Sequence, residues 1–214
     1  MFIGHYAAGF AGKYFDRRPS LGTMFLAVQW LDLIWPVFVL AGIEKFSIDP
    51  GNTVLTPLHF VYYPWSHSML MAIGWASLFG IIYFIKTRNN KGAILLFVLV
   101  FSHWILDWIT HRPDLQFTPF SESRTGLGLW NHKWLEIIIE TSFFILAVFL
   151  YATLRRTEKK HGNLSLFIFA GFLLLIHFMN IFGPAPTNIR MVNWSAFAQW
   201  ILVAWGYWID RKKE

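Results

Sequence analysis

Long runs of Phe, Trp, Leu, Ile and Val alternate along this chain with short stretches where Lys, Arg, Gly, Pro and Asn collect. The apolar runs cover Leu21–Ile43, Ser66–Ile85, Gly92–Thr110, Leu135–Leu154, Leu164–Phe182 and Ser195–Ile209. Most come close to the roughly 20 residues that carry a helix across about 30 Å of hydrocarbon. The pattern predicts an all-α polytopic transmembrane helix bundle of about six spans, preceded by a short N-terminal helix and forming a single integral membrane domain over residues 1–214. The opening stretch MFIGHYAAGFAGKYF lacks the basic start and small-residue cleavage pattern of a signal peptide. The first span is therefore expected to stay in place as its own insertion signal.

Composition agrees with this reading. The chain of 214 residues is 56% hydrophobic and 14% charged, against about 25% charged in soluble domains, and its mean hydropathy is +0.45. Basic residues divide unevenly between alternate connections. Lys13, Arg17 and Arg18, then Lys86, Arg88 and Lys91, then Arg155, Arg156, Lys159 and Lys160, and finally Arg211, Lys212 and Lys213 fall on one side. The other side holds Lys45, Arg112, Arg124, Lys133 and Arg190. Because the cytoplasmic face retains the Lys and Arg excess, both termini are expected in the cytoplasm of a bacterial cell whose inner membrane holds the protein. The net charge of +6 is accounted for by these flanking clusters, which form no continuous surface for nucleic acid. Cysteine is absent, so a disulfide framework and thiolate metal sites are excluded.

Ionisable residues inside the apolar runs cost a few kcal/mol unless paired or hydrated, and so mark function. Asp32 lies in the first span, His67 at the outer start of the second, and His103 and Asp107 in the outer half of the third, within FSHWILDWITH. Residues four apart on a helix are about 6 Å apart along the axis and roughly 40° around it, so His103 and Asp107 share a face. His111 is turned farther round, and Pro113 ends the helix just beyond it. Glu136 and Glu140 open the fourth span. Imidazole and carboxylate without thiol suit a divalent ion, Zn²⁺ first and Mn²⁺ or non-haem iron next; mutual hydrogen bonding between helices is the competing explanation. His5 sits among small residues and reaches the site only if its helix inserts, not if it lies on the surface. His59 and His132 are expected in solvent, His161 in a basic turn, and His177 in an interhelical hydrogen bond. The loop HRPDLQFTPFSESRTGLGLW carries Arg112 and Arg124, candidates for binding an anionic substrate group, with pairing to Asp114 or Glu122 as the alternative.

Taken together, His5, Asp32, the His67–Ser68 pair, HWILD, HRPDL, GLGLW and Glu140 resemble the bacterial family of LexA-regulated, membrane-bound metal-dependent hydrolases. The His and Asp series is also distantly similar to that of zinc-dependent phospholipase C enzymes. The resemblance implies a divalent-metal centre built from His5, Asp32, His67, His103 and Asp107. The implied activity is hydrolysis of an ester or phosphoester, and a site in the outer half of the membrane favours a lipid or lipid-linked substrate. In that reading Glu140 or His111 serves as general base or as the partner that orients a ligand. Two other functions fit the same residues. One is transport of a cation or proton, the other a non-catalytic membrane scaffold.

Overall fold

The computed structural model describes residues 1–157 and 163–210, the side chains of Arg156 and Thr157 excepted. Lys159, Lys160, His161, Arg211, Lys212 and Lys213, on which part of the charge argument rests, lie outside the described residues. In chain order the elements are α1 (Ile3–Phe15), α2 (Leu21–Val28), α3 (Trp30–Leu40), β1 (Lys45–Ile48), β2 (Leu58–Tyr62), α4 (Pro64–His67), α5 (Met69–Thr87), α6 (Asn90–Thr110), β3 (Leu115–Gln116), β4 (Arg124–Thr125), α7 (Lys133–Thr157), α8 (Leu164–Phe182) and α9 (Ile189–Asp210). The architecture is the expected all-α bundle. Its two antiparallel ribbons, β1–β2 and β3–β4, are small additions in the connections that carry the loop residues.

The apolar runs do not become equally apolar helices. Among the described residues four helices, α5, α6, α7 and α8, are long and apolar enough to cross a membrane, and the α2–α3 pair makes a fifth if counted as one broken span. The sixth run falls in α9, which carries the polar residues Arg190, Asn193, Ser195, Gln199 and Asp210, packs along α2 and α3 and ends where Asp210 meets Lys13 and the Leu21 N–H. The first span is also not continuous. It bends by 53° between α2 and α3, at Gln29, where φ is −100° and ψ is 2°. Pro36 lies inside α3; the bend comes about two turns earlier, where α2 gives up the Val28 carbonyl to another partner. The second run is interrupted too, because Ser68 ends α4 and its hydroxyl caps α5 by accepting from the Met71 N–H.

Close helix contacts depend on glycine. Where α2 crosses α9, a Cβ on Gly22 would run into the Tyr207 ring, and one on Gly206 would lie 2.5 Å from Phe25 and 3.1 Å from the Gly22 Cα. Small residues bring backbones together in this way in membrane bundles, where burial from water provides no drive. The hairpin α5–α6 turns on Arg88, in the left-handed region at φ 55°, and on Asn89, whose side chain caps α6 through the Gly92 N–H.

Helix α1 is inside the bundle. Ile3, Tyr6, Ala7 and Phe10 are sealed against α2, α7 and α8 in an aromatic core with Phe25, Phe144 and Phe169. Thirteen residues make a helix of about 20 Å, which is too short to span. Its other end is tied to the far face: Lys13 Nζ donates to Asp210 Oδ2 at 2.9 Å, and Asn89 Nδ2 donates to Asp16 Oδ2 at 3.0 Å. The surface alternative for the N-terminal helix is thereby excluded, and its insertion carries His5 inward.

Filling the α2–α9 crossing tests this packing. Gly22→Val and Gly206→Val are each expected to cost about 1–3 kcal/mol by overpacking, read as a thermal-unfolding midpoint lowered by several degrees in detergent. Gly74→Ala, whose added Cβ meets nothing within 4 Å, leaves the midpoint unchanged. Equal midpoints for all three would show that α9 does not pack as described.

Candidate metal centre

The bend at Gln29 positions the first ligand. A continuous helix would offer the Val28 carbonyl to the Asp32 N–H; in the bent pair it accepts instead from His103 Nδ1 at 2.6 Å. A carbonyl can only accept, so His103 carries a proton on Nδ1 and turns Nε2 inward. That Nε2 is buried with no hydrogen-bond partner, 3.1 Å from Asp107 Oδ2 and 3.7 Å from Asp32 Oδ1.

His67 is held in the same way from α4. Glu44 accepts from the Ser66 N–H at 2.8 Å and from Ser66 Oγ at 2.6 Å, leaving that oxygen to accept from His67 Nδ1 at 2.7 Å. The second nitrogen, Nε2, faces Asp32 Oδ1 at 3.4 Å and Asp107 Oδ2 at 3.7 Å. Glu44 sits in the connection after α3, and burial raises its carboxyl above the ordinary value in spite of the Ser66 bonds and nearby His67.

From α1, His5 Nε2 lies 3.1 Å from Asp107 Oδ1, and its ring stacks on His103 with centroids 3.7 Å apart and planes 1° from parallel. The Met1 amino nitrogen is 2.9 Å from Asp107 Oδ1 and 3.2 Å from Thr110 Oγ1. Four helices thus bring His5, Asp32, His67, His103 and Asp107 together. Single ligand atoms of His5, Asp32 and His103 lie within 4.8 Å of one another, as do those of His67, His103 and Asp107. Four of these side chains are at most 5% exposed, and Asp32 is 27% exposed, so Asp32 is the side on which the cluster opens.

Bare imidazole nitrogens pointed at carboxylates place lone pair against lone pair. Such a contact needs a cation between the partners, either a second proton on each ring or a metal ion. The donor set of imidazole and carboxylate, with second nitrogens anchored by a carbonyl and a hydroxyl, matches how proteins prepare histidine for a divalent ion.

The other candidates are placed around this cluster. His111 Nδ1 lies 3.0 Å from Asp114 Oδ1 and 3.2 Å from the Tyr63 hydroxyl, under the Trp130 ring at 4.2 Å; its backbone N–H donates to the Asp107 carbonyl at 2.7 Å, while its ring faces the five across Tyr63, whose ring is 5.4 Å from that of His67. Arg112 Nε is 3.6 Å from Asp114 Oδ2, and the exposed Arg124 donates to the Val61 carbonyl at 3.4 Å. Glu140 accepts from the Gly4 N–H at 2.8 Å and stands with Glu136 and His177 in a second group. His59 is half-buried on β2 and His132 is exposed. Sequence reading did not find Glu44 or Ser66: the two are 22 positions apart, and only the return of the chain through β1 and β2 joins them.

The anchor is testable. Ser66→Ala and Glu44→Gln are expected to weaken divalent-ion binding about 10–100-fold, the usual effect of losing a partner that orients a ligand, with little change in thermal midpoint. Titration of each variant with Zn²⁺ measures it, and unchanged affinity in both would separate the Glu44–Ser66 pair from the centre.

The family profile described as YdjM inner membrane protein matches residues 48–183, a segment that contains His67, His103, Asp107, His111 and Glu140 and leaves out His5 and Asp32. No curated protein and no solved structure gives a significant match to the chain. With apolar helices long enough to cross a bilayer and more than half its length under that profile, the chain belongs to the YdjM inner membrane protein family.

Proposed function

We propose that this protein is a membrane-embedded, metal-dependent hydrolase acting on an ester or phosphoester of a lipid or lipid-linked substrate. The observation that supports it is the convergence of the His103 and His67 Nε2 atoms on Asp32 and Asp107, each ring anchored through its other nitrogen. In this reading His67, His103, Asp32 and Asp107 hold a divalent ion, with His5 as a further ligand, and Zn²⁺ suits the set best. Such an ion supplies Lewis-acid chemistry, acidifying water and stabilising charge on an ester or phosphoester oxygen.

The chain's own groups do the remaining work. Val28 and the Ser66–Glu44 pair fix the rings, and the apolar walls of α1 and α6 exclude bulk water from all but the Asp32 side. A substrate approaching past Asp32 would not have to leave the membrane. Tyr63, His111 and Asp114 form a proton-holding group beside His67, which keeps His111 as the candidate base or orienting residue; Glu140 is the alternative on the α1 side. Arg112 and Arg124, on the loop that carries this group, are the candidates for contacting a substrate anion. The orientation that goes with this reading has both termini in the cytoplasm and the centre in the outer half of the bilayer, supported by Lys13, Arg17, Arg18, Lys86, Arg88, Lys91 and Arg155 at the opposite end of the bundle.

The broken span beside Asp32 favours a second reading, cation transport, because discontinuous helices commonly hold ions at membrane depth. The two separate in one preparation. Hydrolysis predicts that purified protein loaded with Zn²⁺ releases product from phospholipid in mixed micelles, and that His103→Ala and Asp107→Ala lower the rate by about a hundredfold or more while remaining folded. Intact lipid together with Zn²⁺ or Mn²⁺ flux into proteoliposomes, stopped by Asp32→Asn, would replace the hydrolase reading with transport.

A further inference from the structure

A second cluster lies between α7 and α8 and shares no ligand with the first. Glu136, Glu140 and His177 are 2%, 2% and 3% exposed, and single ligand atoms of the three lie within 4.8 Å of one another. The two acids are four residues apart on one face of α7. Among the described residues no Lys or Arg side chain pairs with either of them, and the Met1 amino group, which acts on both through space, makes its ion pair with Asp107 at 2.9 Å. Two buried carboxylates this close cannot both stay charged without a cation, and membrane depth makes the demand stronger.

The orientation of each group points to a ligand. Glu136 Oε2 is buried without a hydrogen-bond partner. Glu140 uses Oε1 to accept from the Gly4 N–H, which leaves Oε2 facing His177 Nδ1 at 3.8 Å. His177 Nε2 lies 3.5 Å from Thr141 Oγ1; the tautomer that donates to that hydroxyl leaves Nδ1 bare toward the Glu140 carboxylate. This is the arrangement seen at His103 and His67, a ring anchored by one nitrogen and aimed by the other.

We infer that Glu136, Glu140 and His177 form a second divalent-cation site, separate from the His103–Asp107 centre. One imidazole and two carboxylates suit Zn²⁺ or Mn²⁺. Glu140 joins the two sites mechanically, since the Gly4 N–H it holds is next to His5 on α1. A cation at the second site would fix the start of that helix.

The experiment uses the full chain in detergent, loaded with Zn²⁺ or Mn²⁺, freed of excess ion and measured by elemental mass spectrometry alongside a thermal melt. About two equivalents are expected in the wild type, about one in His103→Ala, about one in Glu136→Gln, and none in His103→Ala/His177→Ala. Glu136→Gln preserves shape and decides the matter if the histidine variant fails to fold. Equal metal in wild type and Glu136→Gln, or no metal in a folded His103→Ala, would overturn the second site. A single wild-type equivalent kept by His103→Ala and lost by Glu136→Gln would uphold it and remove the first centre instead.

Discussion

Asp107 is the group on which the interior of this bundle depends. It is 4% exposed on a helix that passes through apolar surroundings, and a carboxylate there is tolerated only if its neighbours compensate it. Those neighbours come from different parts of the chain: the Met1 amino group, His5 from α1, His67 from the short turn α4 and His103 from the same helix, with a second acid, Asp32, opposite. The rings of His103 and His67 are held by groups behind them, so the demand made by one buried acid extends outward through Val28, Ser66 and Glu44 to the first connection and its ribbon. An apolar core alone would accept many rotations of these helices, since lipid-facing and core-facing residues are equally greasy here. The buried polar groups select one.

The bend at Gln29 belongs to the same logic. Breaking a helix at membrane depth leaves a carbonyl without its partner, a cost of several kcal/mol in hydrocarbon. His103 Nδ1 meets that cost by donating to Val28, and the same bond fixes the tautomer that turns Nε2 to the acids. The α9 helix, too polar for the lipid-facing positions of its neighbours, covers the bent pair, with Asn193 Nδ2 donating to the Pro36 carbonyl at 3.4 Å. That carbonyl and the Val28 carbonyl are both satisfied by side chains from other helices, which is how irregular backbone survives in a membrane.

Much of the scaffold can be read from residue order because apolar run length is itself the physical requirement. The fifth run, Leu164–Phe182, has the same bounds as α8, and the third differs from α6 only by two residues at its start. Pairing of His103 with Asp107 follows from helical spacing. The bend does not, because no proline or glycine marks Gln29 and the reason for it is a histidine 75 positions away. Likewise the position of α9 depends on packing against the bent pair as well as on its own apolar run. Insertion of α1 was open in the sequence: Gly4, Ala7, Ala8 and Gly9 allow close approach, but only the aromatic socket of Phe25, Phe144 and Phe169 decides between membrane surface and interior. For the cluster on α7 and α8, the i,i+4 acids are visible in WLEIIIE, whereas the approach of His177 depends on the rotation and depth of α8, which apolar periodicity leaves free in lipid.

The two clusters differ in a way that bears on their roles. Asp32 gives the first a partly open side, and its rings are fixed by groups in the connections. The second is closed on all three residues and touches α1 through backbone, at Gly4. An open cluster with rigid ligands can exchange a small molecule, while a closed one next to a helix start acts chiefly on position. Since α1 is too short to span and is fixed at its far end by Lys13 and Asp16, the hold of Glu140 on Gly4 determines how far His5 extends over His103. The stacking of those two rings, at 3.7 Å and nearly parallel, leaves little slack for that helix to slide. A change at Glu140 should therefore be felt at the first cluster through geometry before it is felt through charge.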